Sequence, residues 1–152
     1  MSLKHLFKAM LHWKTTEPIA TKYIKNHTIS FEGKSSLALS AAKAFKGDPN
    51  LHNPEDLLLS SLISCHMMSF LYVCSLHQIE VLAYTDSATG TLETDENGSG
   101  KFVEVHLYPM VTISNPEQID LANSLHQKAN ELCFIANSCN FKVLHTATCI
   151  AN

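Results

Sequence analysis

The sequence feature that most constrains this chain is a long apolar segment preceded by a strong helix-start signal. Asn53 is a favourable N-cap, and Pro54 suits the first helical position, where a missing N–H costs nothing. The next two residues are acidic and complement the positive end of the helix dipole. No Gly or Pro follows until past Ile79. The segment therefore predicts a long helix, with Cys65 in its interior, that must be covered on most of its sides.

Size and charge exclude several classes of protein. At 152 residues the chain is long enough to bury a core as one domain over 1–152. The formal net charge is −3, and all eleven basic residues are lysines, spread along the chain without a cluster. We therefore expect neither a nucleic acid nor a membrane surface as a partner.

Two further patterns bear on the compartment. Serines and a histidine interrupt the apolar segment after Pro54, so we expect no membrane span there. The first thirteen residues carry Lys4 and Lys8 and alternate in polarity, unlike the apolar centre of a secretory signal. These patterns favour a cytoplasmic protein.

The five cysteines do not suggest a disulfide framework or a zinc site, because their number is odd and no two form a CxxC pair. In a reducing compartment they are expected to be thiols, and a disulfide between two of them would be catalytic or redox-sensing. The cysteines are Cys65, Cys74, Cys133, Cys139 and Cys149.

The remaining pattern predicts strands on both sides of the helix. Alternating segments that predict strands occupy residues 5–13, 28–31, 36–40, 80–93, 101–113 and 140–150. The turn-rich residues 95–100 predict a hairpin. A second helix start at Asn115 and Pro116 opens an amphipathic helix that runs to about Cys133. Two helices against antiparallel strands predict an α+β fold.

Two motifs in this chain resemble the OsmC/Ohr family, which is named after osmotically induced protein C and the organic hydroperoxide resistance protein. The first is Asn53-Pro54-Glu55 with the leucine-rich run into Cys65, and the second surrounds Cys133 at the end of the later helix. The resemblance covers most of the chain, although the usual Cys-Pro around the second thiol is absent. It implies antiparallel sheets packed around a long central helix that carries Cys65, in an intertwined homodimer.

The resemblance also implies a function, the thiol-dependent reduction of small hydrophobic hydroperoxides. Cys65 matches the cysteine that attacks the peroxide and becomes a sulfenic acid, and Cys133 matches the one that then forms a disulfide with it. An external dithiol, of the dihydrolipoyl type in some family members, would reduce the disulfide. No bound metal or cofactor is implied.

Glu55 matches the family's active-site glutamate, but it lies ten residues before Cys65, about 15 Å along a helix axis. The two residues cannot serve one thiol from one straight helix, so Glu55 must act through a cation or in a partner's site. The family commonly uses an arginine from the N-terminal strands, and this chain has none. We take Lys25 as the substitute and His27 as a second candidate.

Plainer interpretations remain open for these residues. A lone cysteine on an apolar helix is often a small buried hydrophobe, and Cys133 could pack in the same way. Glu55 is also explained as a first-turn acid on the helix dipole. The other three cysteines are interpreted as structural.

Three alternative functions follow from the same residues. A metal site at residues 65–68 is disfavoured, because successive helical side chains point in different directions. A non-enzymatic binding module would hold an apolar or thioester ligand near Met67 and Phe70. A redox sensor would use the same cysteines to change its affinity for a partner.

Overall fold

The computed structural model describes residues 3–15 and 23–152, and the chain forms two compact units, 1–58 and 59–152. The predicted α+β class is confirmed, with a long helix that carries Cys65. Our expectation of a single domain over 1–152 stays a prediction. The elements are β1 (Met10–His12), β2 (His27–Ser30), β3 (Leu37–Leu39), α1 (Pro54–Leu76), β4 (Val81–Thr85), β5 (Thr89–Thr94), β6 (Gly100–Leu107), β7 (Met110–Ile113), α2 (Ile119–Leu132), α3 (Phe134–Asn137), β8 (Lys142–His145) and β9 (Thr148–Ala151).

The first unit contains an antiparallel sheet in the order β1-β2-β3. The strand predicted over 5–13 forms only at Met10–His12, because β2 offers just four residues with which to pair. Apolar side chains around β1 are exposed in this unit; they are Leu3, Leu6, Phe7, Met10, Leu11 and Trp13. Large contiguous apolar surfaces usually mark interaction sites.

Helix α1 begins where the sequence predicts. Asn53 Oδ1 accepts a hydrogen bond from the backbone N–H of Asp56 at 2.9 Å, and Asp56 Oδ2 accepts from the backbone and side-chain nitrogens of Asn53 at 3.3 and 2.8 Å. This is a reciprocal capping box, with Asp in the position where Glu is more usual. The helix ends at Leu76, and Gln78 then adopts a left-handed conformation with φ of 54°.

The interrupting serines and histidine, on which we based the expectation of no membrane span, do not by themselves exclude one by length and composition. Helix α1 is long and apolar enough to cross a membrane, because its small serines lower its hydropathy little. A core helix passes the same test, and α1 buries one face in the protein interior. The buried residues of α1 are Leu62, Cys65, His66, Phe70, Val73 and Cys74.

The second unit contains two sheets instead of one set of long strands. Each of the three long predicted strands breaks once, and its two halves pair in different sheets, in the orders β4-β7-β9 and β5-β6-β8. The hairpin across residues 95–99 is confirmed, with β5 and β6 antiparallel. The sheets are mixed: beside the predicted antiparallel pairs, β6 pairs with β8 and β7 with β9 in parallel. The helical connection through α2 allows this direction of return.

The strand breaks have local causes. Pro109 cannot donate to a ladder, and its carbonyl instead accepts from Thr148 N–H at 2.8 Å. The carboxylate of Asp86 accepts from the Tyr108 backbone N–H at 2.8 Å and from the Tyr84 hydroxyl at 3.4 Å. Burial raises the pKa of Asp86. These contacts hold the turning points of two strands together.

The core of the second unit lies between α1, α2 and the β4-β7-β9 sheet. It includes Cys74 and Cys149, as a structural role for these cysteines requires. Burial raises the pKa of Cys74 to about 11, with a smaller contribution from Cys149. Cys74 therefore stays protonated at neutral pH.

The capping box predicts a measurable share of stability. Asn53→Ala removes the oxygen that accepts from Asp56 N–H and should lower the free energy of unfolding by about 1 kcal/mol. Asn53→Ser keeps a capping oxygen and should stay close to the native value. Denaturant unfolding of the three proteins measures this, and an alanine variant as stable as the native chain would contradict it.

Candidate active site

Cys65 and Cys133 come together in the second unit. Cys65 lies in the middle of α1, and Cys133 lies at the junction of α2 and α3, where the backbone turns extended with φ of −72° and ψ of 107°. The two side chains are close enough for Cys65 to raise the pKa of Cys133, and both are free thiols. The structure therefore joins the two cysteines that the sequence motifs single out.

The two thiols differ in their surroundings. Cys133 is only 1% exposed, and its Sγ accepts a hydrogen bond from the Ala136 backbone N–H at 3.4 Å. Burial raises the pKa of Cys133 to about 11; the Ala136 contact opposes this rise, and the contact with Cys65 adds to it. Cys133 is therefore protonated at neutral pH.

A mainly apolar cavity of about 340 Å³ adjoins Cys65. It is of the size that small-molecule sites have in proteins. Tyr72 and Phe134 are 57% and 80% exposed, so the cavity opens at the protein surface. The lining residues are Cys65, Met68, Ser69, Tyr72, Leu132 and Phe134. Cys133 does not line this cavity.

The charged candidates lie in the first unit and are not paired there. Glu55 is half-buried, and its Oε2 atom is buried without a hydrogen-bond partner among residues 3–15 and 23–152. Lys25 Nζ donates to the Phe45 carbonyl at 2.5 Å, and His27 Nδ1 lies 2.7 Å from the Lys25 carbonyl oxygen. In the described part of the chain, no ion pair joins Glu55 to Lys25.

Comparison with known proteins identifies the family of this chain. The family model for OsmC-like protein matches residues 47–146. The chain belongs to the OsmC-like family. An OsmC-like protein of unknown function from Vibrio cholerae is 29% identical, with a TM-score of 0.82 over 95% of this chain and 99% of the other. A search of curated proteins finds no match.

Two more distant structures share the fold. An organic hydroperoxide resistance protein from Elizabethkingia anophelis is 19% identical, with a TM-score of 0.70 over 99% of this chain and 100% of the other. An organic hydroperoxide resistance protein, OsmC, from Legionella pneumophila is 19% identical, with a TM-score of 0.71 over 96% and 98%. At this identity both matches establish the OsmC-like fold and no more.

The OsmC-like core of this chain holds a histidine cluster that the sequence did not reveal. His66 and His126 are fully buried, and His66 Nε2 lies 3.0 Å from His126 Nδ1 in a hydrogen bond between α1 and α2. The ring of His145 lies 5.5 Å from that of His66 and 6.2 Å from that of His126. One signal was present: His126 lies on the buried face of α2, between Ala122 and Ala129.

These histidines are neutral. Burial, with a smaller contribution from His145, lowers the pKa of His66 to about 4. Burial likewise lowers the pKa of His126 to about 3, with contributions from His66 and His145. Within residues 3–15 and 23–152, no group of three or more His, Cys, Asp or Glu is placed to hold a metal ion. The absence of a bound metal stays a prediction.

The histidine pair predicts that acid destabilises the fold. The ordinary histidine pKa is 6.5, so below that pH the unfolded chain binds protons that native His66 and His126 do not. The free energy of unfolding should be highest above pH 6.5 and fall by about 1.4 kcal/mol per pH unit for each histidine as pH drops toward 4.

Urea unfolding at a series of pH values tests this dependence. The double variant His66→Gln/His126→Asn should lose much of the slope, whereas replacing the exposed His77 with Gln should keep it. A double variant with the native slope would contradict the assignment.

Proposed function

We propose that this protein is a thiol-dependent peroxidase for small hydrophobic hydroperoxides, with Cys65 as the nucleophile and Cys133 as the resolving thiol. The observation that carries the proposal is an apolar cavity lined by Cys65, with Cys133 buried nearby and close enough for Cys65 to affect its pKa. The names of the Elizabethkingia and Legionella relatives give it a precedent in the family.

The proposed cycle balances without a bound cofactor. The Cys65 thiolate attacks one peroxide oxygen, the O–O bond breaks, and the product alkoxide takes up a proton to become an alcohol. Cys65 is then a sulfenic acid. The Cys133 sulfur displaces the hydroxyl group, and the resulting disulfide has supplied the two electrons that reduced the peroxide.

The proton of Cys133 completes the balance of the second step, while its raised pKa leaves little reactive thiolate at neutral pH. Cys133 carries its proton at neutral pH, so the proton can leave with the sulfenic hydroxyl as water. An external dithiol of the dihydrolipoyl type then reduces the disulfide by exchange. No metal or flavin takes part in this scheme.

The cavity supports a substrate with an apolar group. Met68, Leu132 and Phe134 offer a thioether, an aliphatic and an aromatic surface next to the Cys65 sulfur. The hydrocarbon part of an organic hydroperoxide would bury apolar area against them, worth about 25 cal/mol per Å². Hydrogen peroxide would gain nothing of this kind.

A homodimer is part of the proposal, because each unit leaves apolar surface uncovered. In the second unit, Leu71, Tyr72 and Leu76 of α1 are exposed, and in the first unit the side chains around β1 are exposed. In the proposed dimer, Glu55 and Lys25 form a charge network that acts on the Cys65 of the other chain. A cytoplasmic location also belongs to the proposal.

Cysteine variants test the proposed cycle. Cys65→Ser should reduce the consumption of cumene hydroperoxide to background, because the nucleophile is gone. Cys133→Ser should still consume about one equivalent, since the sulfenic acid forms but cannot be resolved. Cys139→Ser is the control and should keep native turnover. Native turnover in Cys65→Ser would refute the assignment.

The proposed charge network predicts a loss of rate when Glu55 is neutralised. Glu55→Gln keeps the shape of the side chain and removes its charge, so peroxide turnover should fall on the order of tenfold. The neighbouring Asp56→Asn also removes a first-turn charge and keeps an oxygen that can accept from Asn53, so it controls for the helix dipole and should keep native turnover. Light scattering tests the proposed dimer separately. It should give about twice the chain mass of 16.8 kDa, and an active monomer would refute the shared site.

The contact of Lys25 with Phe45 favours a second candidate, the binding module. If the Lys25 amino group stays on that carbonyl, no cation assists Cys65 from this position. The protein would then hold an apolar or thioester ligand in the cavity. Slow reaction of Cys65 with a thiol reagent at neutral pH, together with no peroxide consumption, would support this function over the peroxidase.

A further inference from the structure

His66 and His126, which are hydrogen-bonded to each other, are close in sequence to the two cysteines. His66 directly follows Cys65 on α1, and His126 precedes Cys133 by seven residues, about two turns of α2. The two elements that carry the thiols are thus joined by a buried polar contact of 3.0 Å.

The ring of His126 is held from two successive turns of α1. It is hydrogen-bonded to His66 and stacks on Phe70, with ring centroids 3.9 Å apart and planes 12° apart. His66 and Phe70 are four residues apart and therefore on the same side of the helix. These two contacts fix both the position of His126 along the axis of α1 and its distance from that helix.

Stability alone does not explain a polar pair at this place. His66 Nδ1 and His126 Nε2 are buried and have no hydrogen-bond partner among the described residues, 3–15 and 23–152. An unsatisfied buried polar group destabilises the folded state, and two apolar side chains would avoid this cost. Buried polar contacts can instead specify one arrangement among several apolar packings.

Disulfide formation requires such a defined arrangement. The Cα atoms of a disulfide lie about 4.4 to 6.8 Å apart, and a misplacement of about 1 Å can lower a rate a hundredfold. Apolar contacts between α1 and α2 are not directional, whereas a hydrogen bond is.

We propose that His66 and His126 are positioning residues that hold α1 against α2 so that the Cys65 and Cys133 sulfurs stay within reach of a disulfide. We call the hydrogen-bonded pair of His66 and His126 the clamp. Its role in catalysis rests on the proposed peroxidase function. The clamp itself is a property of the thiol pair and can be measured without peroxide.

Exchange with glutathione tests the clamp directly. Oxidised glutathione converts the two thiols into a disulfide and releases two molecules of reduced glutathione, and the equilibrium gives the effective concentration of one thiol at the other. In His66→Leu/His126→Leu, which removes the hydrogen bond, this concentration should fall about tenfold or more. In His66→Gln/His126→Asn it should stay near the native value, because these amides can replace Nε2 and Nδ1.

A matched control separates positioning from loss of stability. Leu125→Ala removes a buried side chain next to His126 on α2 and should clearly lower the denaturant midpoint of unfolding. It should leave the effective concentration near the native value. If the Leu125→Ala value falls as far as that of the double leucine variant, the clamp is refuted.

Other outcomes also decide the question. A native value in the double leucine variant, or an equal loss in the Gln/Asn variant, refutes the clamp. If the leucine variant does not fold, His126→Gln should lower the effective concentration and His126→Asn should not, and equal values refute it. A native protein that forms the disulfide with glutathione but not with hydroperoxide refutes the peroxidase and leaves the clamp standing.

Discussion

The burial of α1 is the constraint on which the rest of this structure depends. One side of the helix forms the core of the second unit with α2 and the β4-β7-β9 sheet, and this side includes Phe70 and Val73. The other side exposes Met68, Tyr72 and Leu76. Cys65 lies between the two and is only 8% exposed. A thiol in this position is shielded by the core and reached through the cavity.

Local signals in the sequence predicted the parts of the fold that depend on neighbouring residues. The capping box at Asn53 and the hairpin at residues 95–99 were recognisable because their residues contact one another within a few positions. The breaks near Asp86 and Pro109 were missed because alternation continues on both sides of each break. The parallel pairing of β6 with β8 joins distant segments and leaves no local pattern.

The residues of the candidate site could likewise be predicted from the sequence only in part. The motifs pointed to Cys65 and Cys133, but their contact depends on how α1 meets α2. His126 was missed because a histidine on a helix usually indicates an exposed position, whereas here it is buried against a partner sixty residues away. Lys25 was chosen from the sequence only because the chain lacks the family's arginine. Nothing in the sequence indicated that its amino group contacts the Phe45 carbonyl.

The two thiols have different access, and this difference sets the order of steps in the proposed cycle. Cys65 lines the cavity, whereas Cys133 is almost fully buried and caps α3 through its contact with Ala136. A hydroperoxide in the cavity can therefore meet Cys65 and not Cys133. Cys133 meets only the sulfenic acid of Cys65; its raised pKa limits the amount of attacking thiolate, and the proton that it gives up completes the departing water. In this scheme, access determines which thiol attacks first, and proton supply determines what the second can do.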